Sequence, residues 1–351
     1  MANETSKTHV DLDAVSHRFI ETNGLRMHIA EQGTGPLLLL CHGFPELWYS
    51  WRYQLPALAQ AGYHAIAPDL RGYGQTDQPT DIAAYTLLHL VGDLVGLLDV
   101  LGEQQAILIS HDWGGNVAWH AALMRPDLFP ALVTMSSPYI PRGPLHGTRA
   151  VLRPTQSWRQ TFKGQFFYQL HFQEPGVAEA DFEHDIRTTM RRFLYALSGD
   201  AAPSERWHPI LPNPQANPFD QVGNPTTLPP WLTEADVDYY AAEFARTGFR
   251  GGLNWYRNID RNWELLAAYS GARIPQPTLY LWGDQDPSLE IAGMNKWIER
   301  MPQAIPALQK ISLPGCGHWI QQERAQEVNA AILAFLHSLS DRNKTADATA
   351  W

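Results

Sequence analysis

The chain of 351 residues is 44% hydrophobic and 18% charged, which is enough apolar sequence for one large folded core. Its formal net charge of −10 argues against nucleic acid or an anionic membrane surface as a partner, because such partners need a basic face. No stretch approaches the roughly 20 apolar residues of a membrane-spanning helix, the N-terminal residues lack the pattern of a signal peptide, and Cys41 and Cys316 are too few for a disulfide framework. We therefore expect a soluble protein of the cytoplasm.

Strands and helices alternate through the first 135 residues. The pair Asn23–Gly24 predicts a hairpin between two short strands over 16–31. Continuous apolar runs then predict buried strands, and apolar residues at helical spacing predict helices. The predicted strands are 36–41, 63–67, 106–109 and 131–135, and the predicted helices are 48–61, 85–101 and 115–124. This alternation is typical of a mostly parallel sheet with helices on both faces.

The alternation stops between about Tyr139 and Trp263, where amphipathic helical stretches, aromatic residues and a Pro/Asn-rich segment at 203–230 follow one another. It resumes after Pro275 with predicted strands at 278–282 and 308–313 and predicted helices at 291–301 and 323–339. The polar tail from Ser340 is expected to fray. We therefore predict one α/β core, formed by 1–138 and 265–351, that is interrupted by a mostly helical cap domain over 139–264.

The segment SHDWGG at 110–115 follows a predicted strand and opens a predicted helix. This is the setting of a nucleophile elbow, a turn so sharp that its neighbours must be small, which exposes the central side chain at the carboxyl end of the sheet. The central residue is Asp112, and a carboxylate suits attack on a saturated carbon, with loss of a halide or opening of a strained ring. An aspartate that only caps the helix is the plain alternative, which the small flanking residues disfavour.

The motif HGFP at 42–45 follows an earlier predicted strand, where proteins with such an elbow place an oxyanion-hole donor. With Asp112 as the nucleophile, the oxyanion forms on its own ester carbonyl during hydrolysis. We expect the backbone N–H groups of Phe44 and Trp113 to stabilise it. By itself the motif is equally compatible with a plain turn, and we expect His42 to be structural.

An ester on Asp112 needs a base that activates water. Among fourteen histidines, His318 lies in the motif GCGHW between the last predicted strand and the last predicted helix, which gives the chain order nucleophile, acid, histidine. The carboxylate that orients His318 is expected on the loop WGDQDP at 282–287. Of its two aspartates we favour Asp286 and expect Asp284 to bond the backbone of its own turn.

Seven motifs run in order over nearly the whole chain: HGFPELWYSWRYQ, DLRGYGQTD, SHDWGG, YQLHFQEPGVAEADFE, FRGGLNWYRNIDRNWEL, WGDQDP and GCGHWIQQE. With these motifs the sequence resembles the soluble epoxide hydrolases, typified by the hydrolase domain of the mammalian enzyme and by plant homologues. The resemblance implies the α/β-hydrolase fold with an inserted helical cap. It also implies conversion of epoxides to vicinal diols, with Asp112 as nucleophile, Asp286 as orienting acid and His318 as base.

The resemblance further assigns two cap tyrosines, Tyr168 and Tyr256, to hydrogen-bonding the epoxide oxygen. A phenol can donate as charge develops on that oxygen, but the residues alone would not single out these two among thirteen tyrosines. Phe44, Trp113 and Trp255 are expected to line a pocket between cap and core. We expect a small hydrophobic epoxide and water as partners and no metal or organic cofactor; the sequence leaves a homodimer open.

Two other functions use the same fold. Haloalkane and fluoroacetate dehalogenases share the aspartate nucleophile, but the former commonly carry an Asn where this chain has Phe44, and the latter an Arg where it has Trp113. A non-catalytic ligand-binding homologue is the alternative from another class, although such proteins usually lack a catalytic residue and all five are present here. A serine esterase is excluded by Asp112 at the elbow.

Overall fold

The computed structural model describes residues 12–142, 152–291 and 293–348. An eight-stranded sheet forms its centre, in the order β1-β2-β4-β3-β5-β6-β9-β10. Strand β2 runs antiparallel to β1 and β4, and all other neighbouring strands are parallel. The strands of this sheet are β1 Ser16–Thr22, β2 Leu25–Gln32, β3 Leu37–Cys41, β4 His64–Pro68, β5 Ile107–His111, β6 Leu132–Met135, β9 Thr278–Gly283 and β10 Leu308–Leu313.

The helices flank the sheet and fill the segment between β6 and β9. In chain order they are α1 Gln54–Gln60, α2 Leu87–Leu101, α3 Trp113–Met124, α4 Pro154–Thr161, α5 Tyr168–His171, α6 Val177–Glu183, α7 Ile186–Ala196, α8 Glu234–Thr247, α9 Arg250–Arg257, α10 Ile259–Leu265, α11 Met294–Ala304, α12 Ile320–Glu323 and α13 Ala325–Ala348. Within the described residues, no helix is both long and apolar enough to cross a membrane. The α/β fold with a mostly parallel sheet is confirmed.

The central strands are buried on both faces, as their continuous apolar sequences predict. Every residue of β3 (LLLLC) is buried, and so is every residue of β6. Strands that are covered by helices on both sides need no polar face, which explains the absence of an alternating pattern. Because β5, β6, β9 and β10 are parallel, the loops after them lie along one edge of the sheet, where open α/β sheets place their sites.

The segment between β6 and β9, which we call the cap segment, contains helices α4 to α10. It also contains a small antiparallel sheet of β7 Phe166–Phe167 and β8 Ile210–Leu211. Helix α8 holds this segment to the core through Asp236, whose buried carboxylate accepts a hydrogen bond from the Tyr49 hydroxyl at 2.8 Å and lies 3.2 Å from Arg52 Nε. The boundaries of the cap domain at 139 and 264 stay predictions.

Three local expectations differ from the structure. The predicted helix 48–61 is divided into a 3-10 turn at Trp48–Trp51 and α1, because Pro56 fits only in the first turn of a helix. The sequence does not predict the small sheet of β7 and β8, because strands of two residues are too short to show an alternating pattern. The polar tail does not fray from Ser340: α13 continues to Ala348, and the Ser340 hydroxyl bonds the Leu336 carbonyl one turn earlier.

Candidate active site

Asp112 occupies the sharp turn between β5 and α3, where its backbone has φ of 50° and ψ of −120°. The surrounding glycines make this turn sterically feasible. A Cβ on Gly114 would lie 2.1 Å from the Cys41 carbonyl oxygen, and a Cβ on Gly43 would lie 2.4 Å from Cβ of Asp112. A non-glycine residue at positive φ is strained, and such strain is concentrated at functional sites. The turn therefore presents this carboxylate at the edge of the sheet.

The two carboxylate oxygens of Asp112 face different partners. The Phe44 N–H donates to Oδ1 at 2.8 Å, and His318 Nε2 lies 3.7 Å from Oδ2. The side chain of Asp112 is 21% exposed, whereas that of His318 is 6% exposed. The nucleophile candidate is thus the more accessible of the two, and the base candidate is nearly buried beside it.

His318 is paired with Asp286, as expected, through a hydrogen bond of 2.9 Å between Nδ1 and Oδ2. Burial alone would lower the pKa of His318, but the charge of Asp286, its hydrogen bond and then the charge of Asp112 outweigh burial and raise that pKa to about 9. Burial likewise opposes the charged form of Asp286 and would raise its pKa, but the charge and the hydrogen bond of His318 lower that pKa below its usual value. The pair is therefore an imidazolium and a carboxylate at neutral pH while Asp112 is a free carboxylate.

Tyr168 and Tyr256 lie together on the cap side of this site, with ring centroids 6.1 Å apart. Tyr256 also packs edge-on against Trp113 and Phe44, at 5.1 and 5.4 Å between ring centroids. Burial, followed by the charge of Asp112, raises the pKa of Tyr256 well above its usual value, and burial likewise raises the pKa of Tyr168. Both phenols keep their protons, so both are hydrogen-bond donors facing a carboxylate.

A pocket of about 280 Å³ lies between the cap segment and the sheet edge. Asp112, Asp286, His318 and both tyrosines line it, together with Phe44 and Trp113. The remaining lining is mainly apolar and comes from both core and cap, including Pro138, Ile140, Trp158, Phe172, Phe193, Leu197, Trp207, Ile259 and Met294. A larger open groove on the cap contains none of the predicted site residues. The pocket suits a small, largely apolar ligand.

Trp255 does not line this pocket, which corrects the expectation. Its side chain is completely buried, and its indole N–H donates to the Arg71 carbonyl at 3.1 Å. It packs edge-on behind Trp113 at 5.9 Å. Residues 255 and 256 are adjacent on helix α9 and point in different directions, so only one of them reaches the pocket.

His42 and Asp284 both have structural contacts. The Leu70 N–H donates to His42 Nε2 at 3.0 Å and His42 Nδ1 lies 2.9 Å from the Gly43 carbonyl, which leaves no ring nitrogen for catalysis. Asp284 accepts from the Gly315 N–H at 2.8 Å. Its backbone partner is therefore the neighbouring loop that carries His318, rather than its own turn. Among the described residues, no cluster of three or more His, Cys, Asp or Glu could hold a metal ion.

Comparison with known proteins identifies the family of the chain. The family described as alpha/beta hydrolase fold matches residues 36–325. Epoxide hydrolase A of Mycobacterium tuberculosis is 43% identical over 94% of this chain and 100% of that protein, and Epoxide hydrolase 1 of Siraitia grosvenorii is 45% identical over 93% and 99%. The crystal structure of Epoxide Hydrolase A from Mycobacterium thermoresistibile superposes with a TM-score of 0.84 at 47% identity, covering 92% of this chain and 98% of that one.

The chain belongs to the epoxide hydrolases of the α/β-hydrolase fold. The resemblance stated from the seven motifs is thereby confirmed.

Two further residues of this epoxide hydrolase support the site without having been given a role from sequence. Glu46 and His111 are fully buried and meet at 2.6 Å between Oε2 and Nδ1, and His111 Nε2 lies 2.7 Å from the His318 carbonyl. Glu46 also accepts from the Gly43 N–H at 3.0 Å. Burial works to raise the pKa of Glu46, but the contact with His111 lowers it to about 2. In the sequence, these two residues are marked only as ionisable side chains, Glu46 and His111, within mainly apolar segments next to the HGFP motif and Asp112.

Proposed function

We propose that this protein hydrolyses epoxides to vicinal diols through a covalent ester on Asp112. The observation that carries the proposal is one pocket in which a strained, partly exposed carboxylate faces two protonated phenols and a buried imidazole–carboxylate pair. A carboxylate attacks a saturated carbon, phenols supply the proton that a leaving alkoxide needs, and the pair activates water. No single one of these groups would suffice.

In the first step, one oxygen of Asp112 attacks a ring carbon of the epoxide from the side opposite the ring oxygen. The C–O bond of the ring breaks, its electron pair stays on oxygen, and Tyr168 or Tyr256 gives that oxygen a proton. Because burial keeps both phenols protonated, they can donate throughout the step. The product is a hydroxyalkyl ester of Asp112 with inversion at the attacked carbon.

Before the second step, the imidazolium of His318 gives its proton to the tyrosinate, which restores the phenol. The neutral His318 then takes a proton from water, and the resulting hydroxide oxygen attacks the ester carbonyl carbon. The oxyanion forms on Asp112, where the Phe44 N–H already points at Oδ1; the Trp113 N–H is proposed as the second donor. Collapse breaks the bond between the carbonyl carbon and the alkyl oxygen. The leaving alkoxide takes the proton of the carboxyl group that forms on Asp112 and is released as the diol. Asp112 is thereby regenerated as a carboxylate that carries one oxygen from water, and His318 is again an imidazolium.

The test is diol formation from racemic styrene oxide and trans-stilbene oxide. We expect diol from the native protein, none from Asp112→Asn, and a loss of about 10²- to 10⁴-fold in the double variant Tyr168→Phe/Tyr256→Phe, the range that a positioned proton donor contributes. Tyr195→Phe is the control, since its hydroxyl bonds Glu205 rather than lining the pocket. Bromide release from a bromoalkane without any diol would instead identify a dehalogenase. If a folded protein gave neither diol nor bromide, that result would contradict the proposal.

We also propose a cytoplasmic location, which both cysteines support because they are free and buried, as is usual in a reducing compartment.

A further inference from the structure

The loop that carries His318 is tied to the cap segment by its backbone. The His318 N–H donates to the Leu197 carbonyl at 2.9 Å, at the end of helix α7. The approach is so close that a Cβ on Gly317 would lie 2.3 Å from the nitrogen of Gly199, and a Cβ on Gly199 would lie 2.1 Å from the carbonyl oxygen of Gly315. The position of the base therefore depends on how residues 197–199 and 315–319 are held together.

One carboxylate joins these two backbones. Glu323 Oε2 accepts from the Gly199 N–H at 2.9 Å and from the Gly317 N–H at 2.8 Å, and Oε1 accepts from the Trp319 N–H at 2.9 Å. Two of these donors flank His318 and the third belongs to the cap segment. Burial raises the pKa of this carboxyl to about 7, and the three N–H bonds counter part of that rise. Without the carboxylate, buried N–H groups on both sides of the base would lack a partner.

The opposite face of the loop is held by the core. The His318 carbonyl accepts from the Ser136 hydroxyl at 3.0 Å and lies 2.7 Å from His111 Nε2. Core contacts thus fix the carbonyl of the base, while Glu323 and Leu197 fix the N–H groups. Only the second set includes the cap.

We propose that Glu323 is a positioning residue for ester hydrolysis: it clamps the His318 loop against the cap segment so that Nε2 faces the ester carbonyl of Asp112. This inference rests on the proposed function. Glu323 is not among the residues that line the pocket, so ester formation, which uses Asp112 and the two tyrosines, does not depend on it. Hydrolysis does, because a displacement of about 1 Å in a positioned group can reduce a rate by about 10²-fold.

The test compares Glu323→Gln with the native protein in single turnovers that follow ester formation and ester decay separately. The amide keeps the size of the side chain but turns an N–H₂ group toward at least one N–H donor. We expect decay to slow by about 10- to 100-fold with formation unchanged, so that an adduct on the Asp112 peptide accumulates in mass spectrometry. Glu327→Gln is the matched control, because Glu327 is exposed and pairs with Arg324 at the surface; neither step should change. Equal slowing of both steps, or no slowing, would overturn the inference.

A second measurement does not depend on activity. Amide hydrogen exchange should accelerate at 197–199 and 315–319 in Glu323→Gln and remain native in Glu327→Gln; unchanged exchange in both variants contradicts the clamp. If Glu323→Gln does not fold, Glu323→Asp carries the same two measurements, since it keeps the charge but is too short to reach all three donors. Absence of ester and diol in the native protein would overturn the proposed function, whereas native chemistry with unaltered decay in the variant would overturn the role of Glu323 alone.

Discussion

The charge of His318 is set by the two carboxylates that face its ring. Asp286 lies 2.9 Å from Nδ1 and Asp112 lies 3.7 Å from Nε2, and together they outweigh burial and hold the pKa at about 9. In the proposed mechanism, attack by Asp112 on an epoxide converts its carboxylate into a neutral ester and removes one of these charges. We expect the pKa of His318 then to fall, so that the ring can give its proton to the tyrosinate left by the first step and accept a new one from water. The first step thus prepares the base for the second.

This coupling predicts the titration of His318 in variants. In Asp112→Asn the His318 pKa should be lower than in the native protein, and in Asp286→Asn it should be lower still, because Asp286 is the larger of the two raising influences. Imidazole NMR signals followed from pH 5 to 10 would measure both shifts, the range spanning the ordinary histidine pKa and the raised one. A His318 pKa that stays native in Asp286→Asn would contradict the assigned pair.

How far the site could be predicted depended on the residue. Asp112, Asp286 and His318 follow from their places after strands and from the chemistry of an aspartate elbow, and the structure brings all three together. Tyr168 and Tyr256 came only from the resemblance, because nothing in the local sequence separates them from the other tyrosines. Trp255 was misassigned because the direction of a side chain on a short helix depends on packing.

At the scale of elements, the turn that carries Asp112 has no room for a side chain at Gly114 and more room at Gly115. We expect Gly114→Ala to destabilise the protein by about 1–3 kcal/mol or more, as overpacking does, since its Cβ would meet the Cys41 carbonyl oxygen at 2.1 Å. Gly115→Ala is the matched control on the same helical turn: the atom nearest to its Cβ would be the Ser137 Cβ at 3.0 Å, and alanine favours the helix. Urea unfolding of both variants would measure the difference; equal losses would contradict this account.

The attachment of the cap segment through α8 makes a second prediction. Asp236→Ala removes the carboxylate that faces buried Arg52 and Tyr49, leaving an uncompensated buried charge, which costs about 3–5 kcal/mol. Asp238, two residues later on α8, is exposed and pairs with exposed Arg187, so Asp238→Ala should cost much less. Thermal unfolding of the two variants measures the difference. A similar loss of stability in both would show that the buried contact of Asp236 contributes no more than an exposed ion pair.

Element boundaries were less accessible to sequence than element identity. The apolar runs of β3 to β6 left no alternative to buried strands, and the observed ranges agree within one or two residues. By contrast, the interruption before α1 comes from one proline, and the continuation of α13 past Ser340 comes from polar residues that have adequate helix propensity. A periodic pattern of apolar residues shows which face of an element is buried. Neither the interruption before α1 nor the extension of α13 changes that face, so the pattern does not reveal them.

At the scale of the whole molecule, the pocket belongs to neither the core nor the cap segment alone. The nucleophile and the His318–Asp286 pair come from the sheet edge, whereas the phenols and most apolar lining come from helices and turns far along the chain. Sequence predicts each part, but the shape of the space between them depends on contacts such as the Leu87 N–H with Asn262 and the His318 N–H with Leu197. That is why the reaction could be inferred from sequence and the preferred epoxide could not.

The central claim is that Asp112 forms the covalent ester, and a single turnover in water enriched in the heavy oxygen isotope tests it most directly. With protein in excess over epoxide, each active site reacts at most once. The account predicts that the new diol oxygen comes unlabelled from Asp112, and that the peptide containing Asp112 gains one heavy oxygen. Label in the diol with none in the peptide would mean that water attacks the epoxide directly, and would contradict the account.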